Sequence, residues 1–442
     1  MLLRFSVSNW MSFRDEVTLD MVATREEQHP DHLAVVKEYN LKLLPVAVIY
    51  GGNASGKSNL VKALRFAEHF VTDPPKPGAA IPIKPFRLSK DSIDQPTHFR
   101  FCVHAEGAIF DYSFSLTSTR VVLEELRQVN KTSEKLLFQR GDGAADPAEQ
   151  FPEDSALRYA LQGTQDNQLF LTNSVSQKLN DFRPLYRWFA YALTMIDPGT
   201  RFGGLLDLIH EKSPRSVELA QRLRDLDSGI NSLREEDAPV EETALRDFLE
   251  QIAKTLREGS SMPVDSISDE EGLYLQIEKG KPITRRVIPI HRMDSGEEVA
   301  FRLGDESDGT RRLLDLLPAF LMLENSAVPP VFVIDELDRS LHSLLTRSLL
   351  QKFLSTRAAS SGSQLIFTTH DTQLMTQDLF RRDEIWITER DSSGSSKLTA
   401  FSEFKDVRKD KDIRKSYLQG RMGGIPKIRS FTGPCEEEVE AQ

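Results

Sequence analysis

The stretch Gly51-Gly52-Asn53-Ala54-Ser55-Gly56-Lys57-Ser58 constrains this chain more than any other part of it. Its spacing is G-x-x-x-x-G-K-[ST], in which glycines let the backbone turn N–H groups inward around phosphates. Such a loop needs a buried strand before it and a helix start after it, and the flanks supply both. Val46-Ala47-Val48-Ile49-Tyr50 is a continuous apolar run, the pattern of a strand covered on both faces of a parallel sheet. A helix is expected from Lys57 to Val71, stopped by Pro74-Pro75-Lys76-Pro77-Gly78. Lys57 is then placed to reach β- and γ-phosphates and Ser58 to ligate Mg²⁺, with Gly51 through Asn59 lining the nucleotide.

Two more buried runs end in chemistry. Val331-Phe332-Val333-Ile334 leads into Asp335-Glu336, and acidic side chains at the carboxyl end of a central strand face the ligand crevice. Asp335 is expected to hold Mg²⁺ through water, and Glu336 to position and polarise an attacking water. Gln364 to Phe367 leads into Thr368-Thr369-His370-Asp371, where His370 can bond a γ-phosphate and sense its loss. Each has an ordinary alternative when taken alone: a capped helix start, or a surface histidine. Their order behind the phosphate loop favours the catalytic reading. Glu306-Ser307-Asp308-Gly309-Thr310-Arg311-Arg312 opens a helix carrying Leu313, Leu314, Leu316 and Leu317. Its tip offers N–H groups and a hydroxyl to an anion, or simply a Ser307 cap with Asp308 on the helix dipole.

Composition narrows the class. The 442 residues carry a net charge of −11, with 39% hydrophobic and 28% charged side chains, as in a soluble globular protein. The acidic balance does not indicate nucleic acid as a partner, although it leaves room for a local basic groove. Cys102 and Cys435 stand far apart, at no metal-ligand spacing, which fits a reducing compartment. No apolar run approaches the roughly 20 residues that span a bilayer, and the polar N-terminus lacks a secretory core. The expectation is a cytoplasmic protein without a membrane partner.

Along the chain, Leu3 to Met21 reads as two strands around a turn at Ser12-Phe13, and His98 to Arg127 as an antiparallel meander. Residues 1–154 form an N-terminal lobe in this reading. Residues 155–260 read as a compact helical insertion. There Leu219, Leu223, Leu226 and Ile230 share one helix face and Leu245, Phe248, Leu249 and Ile252 another, with Glu235-Glu236-Asp237 and Pro239 between them. Residues 261–403 form a C-terminal lobe of alternating strands and helices. Residues 404–442 are a charged segment that wraps the domain, with a frayed acidic tail. The fold class is α/β, a P-loop nucleoside triphosphatase with a mainly parallel sheet, an antiparallel β subdomain and a helical insertion.

The order of these segments resembles the ABC ATPase head of the SMC, RecF and overcoming-lysogenization-defect group. The wording is closer to bacterial AAA-type ABC ATPases of anti-phage defence and abortive-infection operons, such as those of the PARIS and Septu kinds. Four segments carry that likeness: Asn9-Trp10-Met11-Ser12-Phe13, Glu306 to Thr310, Asp335 to His342, and Tyr417 to Pro426. The resemblance implies ATP hydrolysis with Mg²⁺ in a head-to-head dimer or higher homo-oligomer. Ser307 and Gly309 would cap the γ-phosphate of the other subunit, and Asp338 would lie at the dimer seam. It further implies an effector protein from the same operon and a phage-derived trigger, the insertion being the guessed partner-reading part. The signature departs from the transporter form Ser-Gly-Gly-Gln, Ser343 replaces the usual proline, and only Glu124 or Gln128 offer themselves as a glutamine-loop residue. Other readings are a RecF- or SMC-like DNA-repair ATPase, a nuclease with an added Toprim domain, and a transporter head. The missing long heptads argue against the SMC form. The short stretch after His370 argues against the nuclease, and the signature against the transporter.

Overall fold

The computed structural model describes residues 1–142, 150–199, 204–210, 214–238, 249–251, 261–264, 272–326, 328–357, 361–404 and 412–425. The three apolar runs become adjacent strands of one sheet: β5 (Val46–Gly51), β16 (Val331–Ile334) and β17 (Gln364–Thr368). With β10 (Leu193–Ile196), β18 (Ile385–Arg390) and β19 (Ser396–Ala400) they form a sheet of order β10-β16-β17-β5-β18-β19. Every neighbouring pair is parallel except β18 with β19. Parallel neighbours need crossovers, and the long ones here are α1 (Lys57–Thr72), α7 (Asp308–Asn325) and α8 (Ser343–Thr356).

Side chains alternate along these strands between two cores. Ala47, Ile49, Val331, Val333 and Ile366 face the first, while Val46, Val48, Phe332, Ile334, Leu365 and Phe367 face the second. The first core is closed by α1 and an antiparallel sheet of order β2-β1-β6-β7-β8-β9. Its strands are β1 (Leu2–Ser8), β2 (Val17–Asp20), β6 (Thr97–Ala105), β7 (Ala108–Leu116), β8 (Val121–Val129) and β9 (Glu134–Gly141). Phe5, Phe99, Phe101 and Phe114 are wholly buried on its inner face. Burying each stabilises by about 1.5–3 kcal/mol, so a one-residue slip of register would be costly.

The second core is closed by α5 (Gly204–His210), α6 (Pro214–Asp225), α7, α8 and a further antiparallel sheet. That sheet comprises β11 (Ser232–Asp237), β12 (Ser261–Pro263), β13 (Leu273–Glu278), β14 (Lys281–Arg292) and β15 (Glu298–Ala300). The expected fold class is the one adopted: a mainly parallel α/β phosphate-loop sheet with an antiparallel β subdomain. No helix among the described residues is long and apolar enough to cross a membrane.

The insertion departs from its expected form. Residues 155–260 are not wholly helical. After α2 (Ala156–Gln162), α3 (Phe170–Ser176) and α4 (Arg183–Arg187), the chain contributes β10 to the nucleotide-side sheet, pairing Leu193–Ile196 with Val331–Ile334. The acidic cluster Glu235-Glu236-Asp237 does not separate two helices. It lies in β11, opposite Arg285, Arg286 and Val287 of β14, where opposite charges face each other across the ladder. Leu219, Leu223, Leu226 and Ile230 are all buried, but α6 ends at Asp225, so only the first two share a helix face, whereas Leu245, Phe248 and Ile252 lie outside the described residues, as does the acidic tail. The C-terminal segment does more than wrap. Ile413 and Tyr417 of α9 (Ile413–Leu418), with Met422, enter the second core.

Glu124 corrects another expectation. It is wholly buried on β8 and accepts from Tyr112 Oη (2.8 Å), Arg140 Nε (2.9 Å) and the backbone N–H groups of Phe170 (2.7 Å) and Leu171 (3.0 Å). A carboxylate so engaged ties the meander to the free N–H groups at the start of α3 and is not available to a metal. Gln128 lies farther along the same strand, between Phe110 and Lys135. Replacing Glu124 by Ala strands the Arg140 charge and two helix donors. We expect a loss of about 3–5 kcal/mol in chemical denaturation, and a loss below about 1 kcal/mol would contradict this role.

Candidate active site

β5 leaves the sheet at Gly51, and the loop that follows is bent by left-handed backbone at Ala54 (φ +60°) and Gly56 (φ +115°). Glycine is required at 56 for space as well, because a Cβ there would lie 2.6 Å from Ser396 Oγ and 3.0 Å from Ser12 Oγ. Ser55 Oγ and Thr388 Oγ1 stand 2.6 Å apart, bracing the loop against β18. Lys57 is 6% exposed, and its Nζ donates to the carbonyls of Gly51 (2.8 Å) and Gly52 (3.2 Å). Burial pulls its pKa down to about 8, against the opposing pull of Asp335, Glu336 and Asp338. Lys57 is therefore still mostly cationic at neutral pH, with three carboxylates in electrostatic range. Asn59 turns toward the β subdomain, its Nδ2 donating to Ser12 Oγ (2.8 Å) and its carbonyl accepting from Trp10 Nε1 (3.1 Å).

The first turn of α1 carries Ser58 to the carboxyl end of β16. Asp335 is 7% exposed there, and its Oδ1 accepts from Thr368 Oγ1 (2.6 Å) and Ser58 Oγ (3.3 Å). The same Thr368 hydroxyl accepts from the backbone N–H of Glu336 (2.8 Å). Glu336 itself takes left-handed backbone, φ +51°, a strained choice for a side chain of that size. A serine hydroxyl and a carboxylate meeting through oxygen form the hard donor set that suits Mg²⁺. His370 lies exposed at the end of β17. Its pKa is lowered by burial first and by Lys57 second, with Asp338, Glu336 and Asp335 pulling the other way. It is neutral at pH 7 and able to accept or donate one proton.

Ser307 caps α7, its Oγ accepting from Thr310 N–H at 3.1 Å, and it is exposed. Gly309 packs so closely on the segment after Glu336 that a Cβ would come within 2.8 Å of the Ser340 carbonyl. The signature tip thus touches its own chain through Ser340, while the hydrogen bonds of Ser307 stay within its own helix turn. Asp338 sits between these parts, its Oδ1 buried without a hydrogen-bond partner among the described residues.

Two residues to which the sequence assigned no role bear on the site. Thr368 organises both Asp335 and Glu336, and its place directly before Thr369-His370 was the available signal. Asp197 follows β10, whose last residue Ile196 is in register with Ile334, so Asp197 stands beside Asp335. The Ile196 carbonyl accepts from Asp335 N–H at 3.0 Å, and Asp197 pairs with Arg65 of α1 at 2.7 Å.

No curated protein matches the chain. Among solved structures it is similar to an SMC head domain from Thermotoga maritima, at 12% identity and TM-score 0.35, covering 90% of this chain and 98% of that one. An SMC head bound to the C-winged helix domain of ScpA gives 13%, 0.38, 90% and 97% in the same order. The recombination mediator RecF of the RecFOR pathway gives 14%, 0.33, 90% and 98%. Residues 46–376 match the profile of the family described as AAA domain, putative AbiEii toxin, Type IV TA system. That span runs from the phosphate-loop strand to just past His370 and includes the signature helix and the Asp335-Glu336 pair, so the chain belongs to this AAA-domain family.

Proposed function

We propose that the chain binds and hydrolyses ATP in a site completed by a second copy, and that this cycle controls a separate effector in a prokaryotic anti-phage defence system. The observation that supports catalysis most is that Ser58 and Thr368 both donate to Asp335 Oδ1, that the same Thr368 hydroxyl takes the Glu336 N–H, and that Lys57 lies in electrostatic range of both carboxylates. Phosphate oxygens take the place of the Gly51 and Gly52 carbonyls as acceptors for Lys57. Ser58 and Asp335 hold Mg²⁺, Asp335 through water, and the ion when bound neutralises charge on the phosphates. Glu336 orients a water in line with the γ-phosphorus and takes its proton as the bond to the ADP oxygen breaks. His370 holds the γ-phosphate from the rim, and Asp338 lies at the seam between copies. The exposed Ser307 and the half-buried Gly309, at the positive end of α7, meet the γ-phosphate bound by the other copy. The family description, a putative toxin of a Type IV toxin–antitoxin system, supports the defence role.

Three outcomes check this reading. Lys57→Ala should abolish ATP binding in calorimetry. In the unaltered chain the dissociation constant should rise about eightfold from pH 7.5 to 9, because a lysine near pKa 8 loses its proton across that range. A flat profile would remove Lys57 from the phosphates. Glu336→Gln should keep ATP binding, cut turnover by about 10²–10⁴-fold and accumulate a species of doubled mass in light scattering. Full turnover in that variant would dismiss Glu336 as the base. Ser307→Arg should bind ATP but not hydrolyse it, and mixing it with Lys57→Ala should restore part of the activity. No recovery on mixing would argue against a shared site.

A further inference from the structure

We infer that His291 is a positioning residue for the signature tip, linking the β11–β15 sheet to the serine offered to the other copy. This rests on the shared-site reading above. Glu306 directly precedes Ser307, yet it is 9% exposed where Ser307 is open to solvent. Its Oε1 lies 2.6 Å from His291 Nε2, and since a carboxylate has no proton to give, the ring nitrogen donates. The ring is packed in place. Phe301 lies against it with centroids 4.4 Å apart, and a Cβ on Gly229, in the turn before β11, would be 3.5 Å from it. His291 itself belongs to β14, paired with Val299 of β15, and the neighbouring Ile290 pairs with Ser232 of β11. The backbone leading into α7 is therefore pinned one residue before its cap, to a strand of the β11–β15 sheet.

Charge gives the contact a second purpose. A buried carboxylate one residue from a helix start would repel an incoming phosphate, and the same helix start attracts it. The His291 donor draws Glu306 aside and satisfies it, leaving the N–H groups and the Ser307 hydroxyl to face the anion. Movement of the β11–β15 sheet then shifts Glu306 both through the chain that runs on from β15 and through the His291 hydrogen bond, and with it the Ser307 offered to the far subunit's phosphate.

The test compares His291→Ala with His291→Gln in the full chain, with Ser307→Arg as reference. His291→Ala should leave ATP binding to the isolated chain unchanged and reduce turnover by about 10- to 100-fold, the cost of a small misplacement remote from the chemistry. His291→Gln, which keeps an N–H donor, should recover a large part of that. Mixing His291→Ala with Lys57→Ala should restore activity, because one site then pairs a sound phosphate loop with a sound signature. A chain carrying both changes should restore none when mixed with Ser307→Arg. Weakened ATP binding by His291→Ala, equal losses in the Ala and Gln variants, or no recovery with Lys57→Ala would each overturn the inference. If Ser307→Arg itself turns over ATP normally, the shared-site reading fails first. If Ser307→Arg is inactive and His291→Ala is not, only the role of His291 falls.

Discussion

The hydroxyl of Thr368 is the contact on which the site depends. β16 and β17 run parallel and in register, Ile334 beside Phe367, so the next residue of each strand emerges at the same level. There Thr368 donates to Asp335 and accepts from the Glu336 backbone, which fixes the first carboxylate at the strand end and the left-handed turn that aims the next one. Strain of that kind costs of order 1–3 kcal/mol and survives only where the surroundings over-determine it. Here they do: Val331 to Ile334 is wholly buried between two cores, and the strand cannot shift by one residue without exchanging its faces. Packing and chemistry are the same constraint seen from two sides.

Much of this was legible because buried parallel strands write themselves as uninterrupted apolar runs. β5, β16 and β17 were read that way, and the start of α7 was marked by its cap and its leucine face. β10 was not legible. It is four residues long, follows a helical stretch ending Trp188-Phe189-Ala190-Tyr191-Ala192, and carries no turn signal ahead of it. Without β10, Asp197 had no reason to be placed beside Asp335. β11 was hidden for the opposite reason: its acidic residues look like a solvated linker until β14 brings arginines opposite them. Glu124 misled because a buried carboxylate with four donors and a metal-facing carboxylate look alike in one dimension. Asn59, read as a nucleotide contact, has its amide engaged with Ser12.

The two faces of the chain divide the work. The cradle made of Lys57 and Ser58, at the start of α1, and Asp335 and Glu336, just past β16, lies at the end of the parallel sheet. The signature tip belongs to α7, which packs in the second core but is steered at its start by Glu306 and the β11–β15 sheet, and stopped on the other side by the Ser340 carbonyl. A subunit can thus keep its own grip on phosphate while changing how it presents Ser307. That separation is what the proposed shared site would need in order to be regulated.

The central claim is that Ser307 of one copy meets the phosphate loop of another. Chains in which Cys102 and Cys435 are replaced by serine can each carry one new cysteine, Ser307→Cys in one and Asn53→Cys, at an exposed loop position, in the other. With ATP, Mg²⁺ and a short thiol cross-linker, the mixture should give a covalent species of twice 50.0 kDa, and neither chain alone should do so. A mixture that stays at 50.0 kDa under saturating ATP would contradict the account.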